Sequence, residues 1–154
     1  MPVTELVSTD STNAQNVQYI IENLELIVGT TLGFNLEYEI KDDPEVETTA
    51  AAIILYDGET FEESFGEKPL YNEISFIIRV KYRRSDPTQI RDKGADYVHL
   101  LREGITIDLL NVGALASTQI VSRVSHDGAD LSISLPIIEL DYSISVRYRE
   151  KPSC

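Results

Sequence analysis

The sequence predicts an α+β fold. The expected form is a two-layer sandwich, a mainly antiparallel sheet of about four to six strands covered on one face by two helices. Three observations predict it. Residues 74–83, ISFIIRVKYR, and 137–149, IIELDYSISVRYR, alternate apolar and polar side chains except for Ile77 and Ile137 on the polar side. Residues 12–28 and 87–102 instead carry apolar residues at helical spacing. The order is helix, two or three strands, helix, two or three strands. One-sided alternation marks an antiparallel sheet with one covered face, and the two helices supply the cover.

The elements follow in order. Residues 1–11 read as a flexible N-terminal lead-in, 12–150 as a single α+β domain and 151–154 as a C-terminal tail. A helix is expected over 12–28, with Ser11, Thr12 or Asn13 as its cap. Val17, Ile20, Ile21, Leu24 and Val28 form its core stripe. Tyr19 and Leu26 point to the opposite side, where they suit a second contact face toward a partner. Gly29 and the threonines after it end the helix. FNLEYEI, 34–40, then alternates as a half-buried strand, with Phe34, Leu36, Tyr38 and Ile40 inward. KDDPEVE, 41–47, is an acidic loop. AAAIILYDGETFEESF, 50–65, reads as a buried strand followed by a loop or hairpin around Asp57-Gly58.

The long strand at about 71–84 comes next, with Ile74, Phe76, Ile78, Val80 and Tyr82 on its dry side. SDPTQ is a helix start: Asp86 caps, Pro87 suits the first turn and Gln89 can reach back. That helix runs to about 102 with Ile90, Gly94, Tyr97, Val98 and Leu101 inward. Gly94 suits close packing against the sheet, and Gly104 suits a C-terminal cap. Residues 105–117 are compatible with helix, strand or loop. TQIVSRVS, 118–125, is a strand, HDGAD a tight turn, and LSISLP continues outward until Pro136 disturbs the ladder. The last strand points Ile138, Leu140, Tyr142, Ile144, Val146 and Tyr148 inward.

Both long strands run from an acidic to a basic end, Glu73 to Arg83 and Glu139 to Arg149. As antiparallel neighbours they would set each basic end beside the other's acidic end. Cross-strand charge pairs then favour the register by about 0.2–1 kcal/mol each. Strands this long also tend to project beyond their helices and leave edges open to another chain. A head-to-tail contact of that kind closes into a ring when the rotation permits.

Charge and composition exclude several classes. Thirteen Lys and Arg against 26 Asp and Glu give a net charge of −13. That argues against a general nucleic-acid binder and against docking on an anionic membrane. It suits a surface that DNA passes without sticking. The lone cysteine, Cys154, cannot form an internal disulfide, so the fold rests on its core. His99 on the second helix, His126 in a turn and the remote Cys154 lack zinc-ligand spacing. The acidic residues at Asp42, Asp43, Glu45 and Glu47 and around Asp57 and Glu59 do not match a calcium loop, and read as solvated loop charge. No phosphate-binding glycine loop or nucleophile elbow appears. Neither an enzyme, a cofactor nor a metal is expected.

The layout resembles the tail-terminator proteins of long-tailed bacteriophages, and more broadly the tail-completion and head–tail joining proteins of similar size. The resemblance rests on the helix NVQYIIENLELIV, the strand EISFIIRVKYRR running into the helix DPTQIRDKGADYVHLL, and the terminal strand IELDYSISVRYRE. It implies a virion structural protein assembled in the host cytoplasm. Such a protein forms a ring, commonly a hexamer, on the head-proximal end of the tail tube. Its partners would be copies of itself, the tail tube protein and a neck or head connector, with DNA sliding through the lumen. Another neck protein, or an acidic protein-binding adaptor domain, is the alternative. The residues expected at the contacts are Tyr19, Leu26, Arg79, Arg83, Arg147 and Arg149.

Overall fold

In this computed structural model, residues 12–38, 50–61, 71–111 and 120–149 are described. The lead-in 1–11, Ile40, the acidic loop at 41–47, residues 62–65, 112–119 and the tail 151–154 with Cys154 lie outside them. A five-stranded sheet carries one helical layer, as the alternation requires. Helix α1 (Thr12–Glu25) continues as a π-helical segment (Leu26–Thr31) into the short strand β1 (Asn35–Glu37). Strands β2 (Ala51–Phe61) and β3 (Tyr71–Arg83) follow, then helices α2 (Pro87–Gly104) and α3 (Ile107–Leu110), and strands β4 (Val121–Ser134) and β5 (Ile137–Arg149). The sheet order is β1-β2-β3-β5-β4, with β1 parallel to β2 and every other pairing antiparallel.

The core lies between sheet and helices. Ile74, Phe76, Ile78, Val80 and Tyr82 of β3 and Ile138 to Tyr148 at alternate positions of β5 are all buried. Ile20, Leu24, Ile27 and Val28 meet them from α1 and its extension. A fully buried Ile or Leu contributes about 1.5–3 kcal/mol, so this double row is the main stabilising feature. From α2, Ile90, Gly94 and Leu101 are buried, with Tyr97 and Val98 packed beside them. Asp86 accepts a bond from Thr88 N at 2.8 Å and Pro87 opens the helix, the start the sequence encodes. Buried Asn23 donates to Leu110 O and Asn111 brackets Val121 N and O, which ties α3 to α1 and β4.

Several local expectations are corrected. Gly29 does not end the first helix. The chain widens there to a π-helical turn closed by Leu32 N donating to Ile27 O at 2.8 Å, which buries both Ile27 and Val28. The left-handed exit residue is Gly33, at φ 80°. Tyr38 is not inward but 74% exposed, because β1 stops at Glu37. Gly104 sits where it does for space: a Cβ there would lie 2.6 Å from Leu32 Cδ2. Neither Asp-Gly pair makes a turn. Gly58 and Gly128, at φ 111° and 139°, mark β-bulges at Tyr56/Glu59 and His126/Gly128 that let β2 and β4 run on. His126 is therefore a strand residue. The hairpin turn is instead at Leu135-Pro136, whose peptide bond is cis.

Candidate assembly edges

Among the described residues the sheet has one face without helices, an open β4 edge and a β2 edge that β1 covers only in part. On the open face the acidic and basic strand ends meet as their register predicts. Arg79 lies opposite Asp141, Lys81 opposite Glu139 and Glu73 opposite Arg147. Arg79 donates to Asp141 from Nε at 2.8 Å and from another guanidinium nitrogen at 3.1 Å, and also reaches Glu139 at 2.9 Å. The bond to Asp141 is the largest influence holding Arg79 protonated above its ordinary range. Lys81 lies 3.9 Å from Glu139. Arg147 stacks over the Tyr71 ring at 4.5 Å. Arg83 and Arg149 are exposed at the ends of β3 and β5. The four arginines thus divide between opposite ends of the open face rather than forming one patch.

The two helix residues also separate. Leu26 is 56% exposed, at the first position of the π-helical segment. Tyr19, expected on the outer side, is half-buried and packs against the core.

The edges follow from element lengths. A strand of thirteen residues such as β5 spans about 43 Å, whereas the eighteen residues of α2 span about 27 Å. β5 is therefore longer than the helix laid against it. At the β4 edge Leu131 and Ile133 lie opposite the buried Leu140 and Ile138, hence on the helix face, yet are 47% and 59% exposed. Leu135 in the turn is 62% exposed. Among the described residues no strand pairs with the outer side of β4.

The other edge is β2. Its outer side is paired only where Asn35, Leu36 and Glu37 meet Ala51, Ala52 and Ile53. From Ile54 to Phe61 it is open among the described residues. Tyr56 and Phe61, both on the helix face, are 53% and 68% exposed. Where β1 stops, a cavity of about 300 Å³ opens, lined by Glu25, Leu36, Tyr38, Ile54, Leu55 and Tyr56 among others. Burial, and secondarily Glu22, raises the Glu25 carboxyl above its usual range. Tyr56 donates to Glu59, which also accepts from Tyr148.

Sequence reasoning did not single out these edge residues. Leu131 and Ile133 alternate with serines just as core residues do, and only their place on the edge strand distinguishes them. Among the described residues no group of three or more His, Cys, Asp or Glu is placed to hold a metal.

No protein-family model matches the chain, and no curated protein matches it in sequence. Solved structures similar to the chain include two at low identity. One is a chain from the virion of a native gene transfer agent particle. It is 11% identical, with a TM-score of 0.47, over 85% of this chain and 92% of that one. The other is 13% identical, with a TM-score of 0.47, over 88% of this chain and 97% of that one. At these values neither likeness bears on the role of the chain.

Proposed function

We propose that this chain is a virion structural subunit that closes head to tail into a ring, capping the head-proximal end of a tail tube. The observation that supports the reading is a pair of edges, on opposite sides of one mainly antiparallel sheet, that are open among the described residues. β2, β3, β5 and β4 alternate in direction, so the two edge strands run opposite ways. A copy related by rotation about an axis along the strands presents its β4 antiparallel to the first copy's β2. Repeating the step makes a ring if the rotation closes. The exposed apolar residues of both edges lie on the same face, so joining them buries both sets together.

The role is structural rather than catalytic. One ring surface fits the last tube ring; the other does not accept a further ring, which stops growth, and receives the neck connector. The net charge of −13 suits a lumen that DNA traverses without adhering. Native mass measurement is expected to show a discrete multiple of 17.3 kDa, alone or once tube subunits are supplied, with tubes capped at limited length. A chain that stays monomeric under both conditions overturns the reading. The open β4 edge would then point to an adaptor that adds a partner's strand.

A further inference from the structure

We infer that Glu59, on β2 where the helix face carries exposed aromatic rings, binds a lysine or arginine side chain of a partner protein. The inference goes beyond the ring reading and does not depend on it. A bulge puts the carboxylate there. From Tyr56 to Glu59 strand β2 takes three steps, while the facing Phe76 to Ile74 takes two. The extra residue is accommodated at Gly58, at φ 111°. Without it Gly58 would face Ile74, and Glu59 would turn to the open face. Instead Glu59 lies opposite buried Ile74, on the face that otherwise carries core residues.

The surroundings of Glu59 satisfy its hydrogen bonds but not its charge. Tyr56 donates to one carboxylate oxygen at 2.9 Å, and the buried Tyr148 donates to the other. Tyr148 Oη in turn accepts from Asn72 Nδ2 at 3.2 Å. Among the described residues no Lys, Arg or His pairs with Glu59. The cluster also ends on an acceptor. Asn72 is 2% exposed, and its Oδ1 has no hydrogen-bond partner. A half-buried carboxylate without a cation and a buried amide oxygen without a donor are both costly. An ammonium or guanidinium group answers both, because it brings positive charge and only donors.

The walls fit the same guest. Tyr56 and Phe61 flank Glu59 on the helix face, 53% and 68% exposed, and Phe61 lies opposite Asn72. Tyr56 is held edge-on against Phe76, with ring centroids 6.3 Å apart. Aromatic faces beside a carboxylate suit both the charge and the methylene stem of lysine or arginine. The rings stand open to solvent, so a free amine would leave them wet. A side chain carried on a polypeptide brings backbone to cover them, which selects a protein partner.

Titration of the full chain with blocked Gly-Gly-Lys-Gly-Gly and with its norleucine counterpart, followed by NMR, tests this. The lysine peptide should shift the Tyr56, Phe61 and Asn72 side-chain signals to saturation in the millimolar range, and added salt should weaken it. Glu59→Gln, checked for fold by circular dichroism, should weaken binding by at least about tenfold. Phe61→Ser, at an exposed position, should weaken it about threefold, and carries the comparison if Glu59→Gln loses the fold. Equal shifts with the norleucine peptide, or binding that survives Glu59→Gln, would show apolar contact only and overturn the site. n-Butylamine binding as tightly as the peptide would make a free amine the guest and overturn the partner. Binding that appears only in Lys68→Ala would assign the place to this chain's own lysine, with the same consequence. Absence of saturable binding overturns the inference and leaves the ring reading standing.

Discussion

Arg79 and Asp141 stand directly opposite each other on β3 and β5, joined by two hydrogen bonds of 2.8 and 3.1 Å. The pair lies on the open face with its charges partly in water, so its contribution is that of a well-formed surface pair. Arg79→Ala is expected to lower unfolding free energy by about 1 kcal/mol, and Asp141→Ala by a similar amount. The double variant should cost less than the sum, since Arg79→Ala already removes the partner of Asp141, whereas Arg79 keeps Glu139 at 2.9 Å in Asp141→Ala. Arg83→Ala, at the exposed strand end, should fall within about 0.5 kcal/mol of the parent. Urea unfolding checks all four; additivity of the first pair would show the bonds to be idle.

Gly94 and Tyr82 make the second test. A Cβ on residue 94 would lie 3.0 Å from the Tyr82 hydroxyl, which is itself fixed by donating to Ile90 O at 2.9 Å. Alanine gains about 1 kcal/mol of helix propensity. Crowding a buried, bonded hydroxyl costs about 1–3 kcal/mol, so Gly94→Ala is expected to be net destabilising. Tyr82→Phe removes the obstructing oxygen. The Gly94→Ala substitution should therefore be better tolerated in a Tyr82→Phe background, a coupling that thermal unfolding of the four proteins measures.

The strands and helices that bury an unbroken stripe were legible in the sequence. Ile74 to Tyr82 and Ile138 to Tyr148 place an apolar residue at every second position, and the structure buries every one of these on the predicted side. What was not legible depends on neighbours. Asp57-Gly58 and Asp127-Gly128 carry the same dipeptide that ends hairpins, but in each case the facing strand continues past it, so the positive φ makes a bulge. Gly29 and Gly33 are both plausible helix ends; only the packing of Ile27 and Val28 decides between them. Arg79 drew attention as a charge on an exposed face and is engaged by its own sheet. Leu131 and Ile133 have the pattern of core residues and stay part-exposed because β4 is the edge strand, although Leu131 lies beside Gly94 of α2.

His126 gives a pH dependence. Its Nε2 lies 3.2 Å from Ile105 O and its Nδ1 2.5 Å from Tyr142 Oη. The neutral ring, donating from Nε2 and accepting at Nδ1, satisfies both. Burial chiefly, and Arg102 on α2 next, lower its pKa from 6.5, against smaller opposing effects of the Ile105 bond and Asp127. The unfolded chain therefore binds a proton at higher pH than the folded one. Stability from this group is complete above about pH 7. It falls as pH drops through 6.5 toward the lower folded value, then levels off below it. His126→Gln should flatten that part of the profile. Urea midpoints between pH 8 and 5 that decline equally in both proteins would show that other groups set the slope.

Leu26 and Tyr19 should separate on substitution. Leu26→Ser removes an exposed side chain, and its unfolding free energy is expected within about 0.5 kcal/mol of the parent. Tyr19→Ser withdraws a half-buried ring from the core and should cost about 1–2 kcal/mol. If Leu26 serves as a contact, Leu26→Ser lowers the assembled fraction at unchanged melting temperature. Equal melting shifts for both variants would place the two residues in one environment, against the structure.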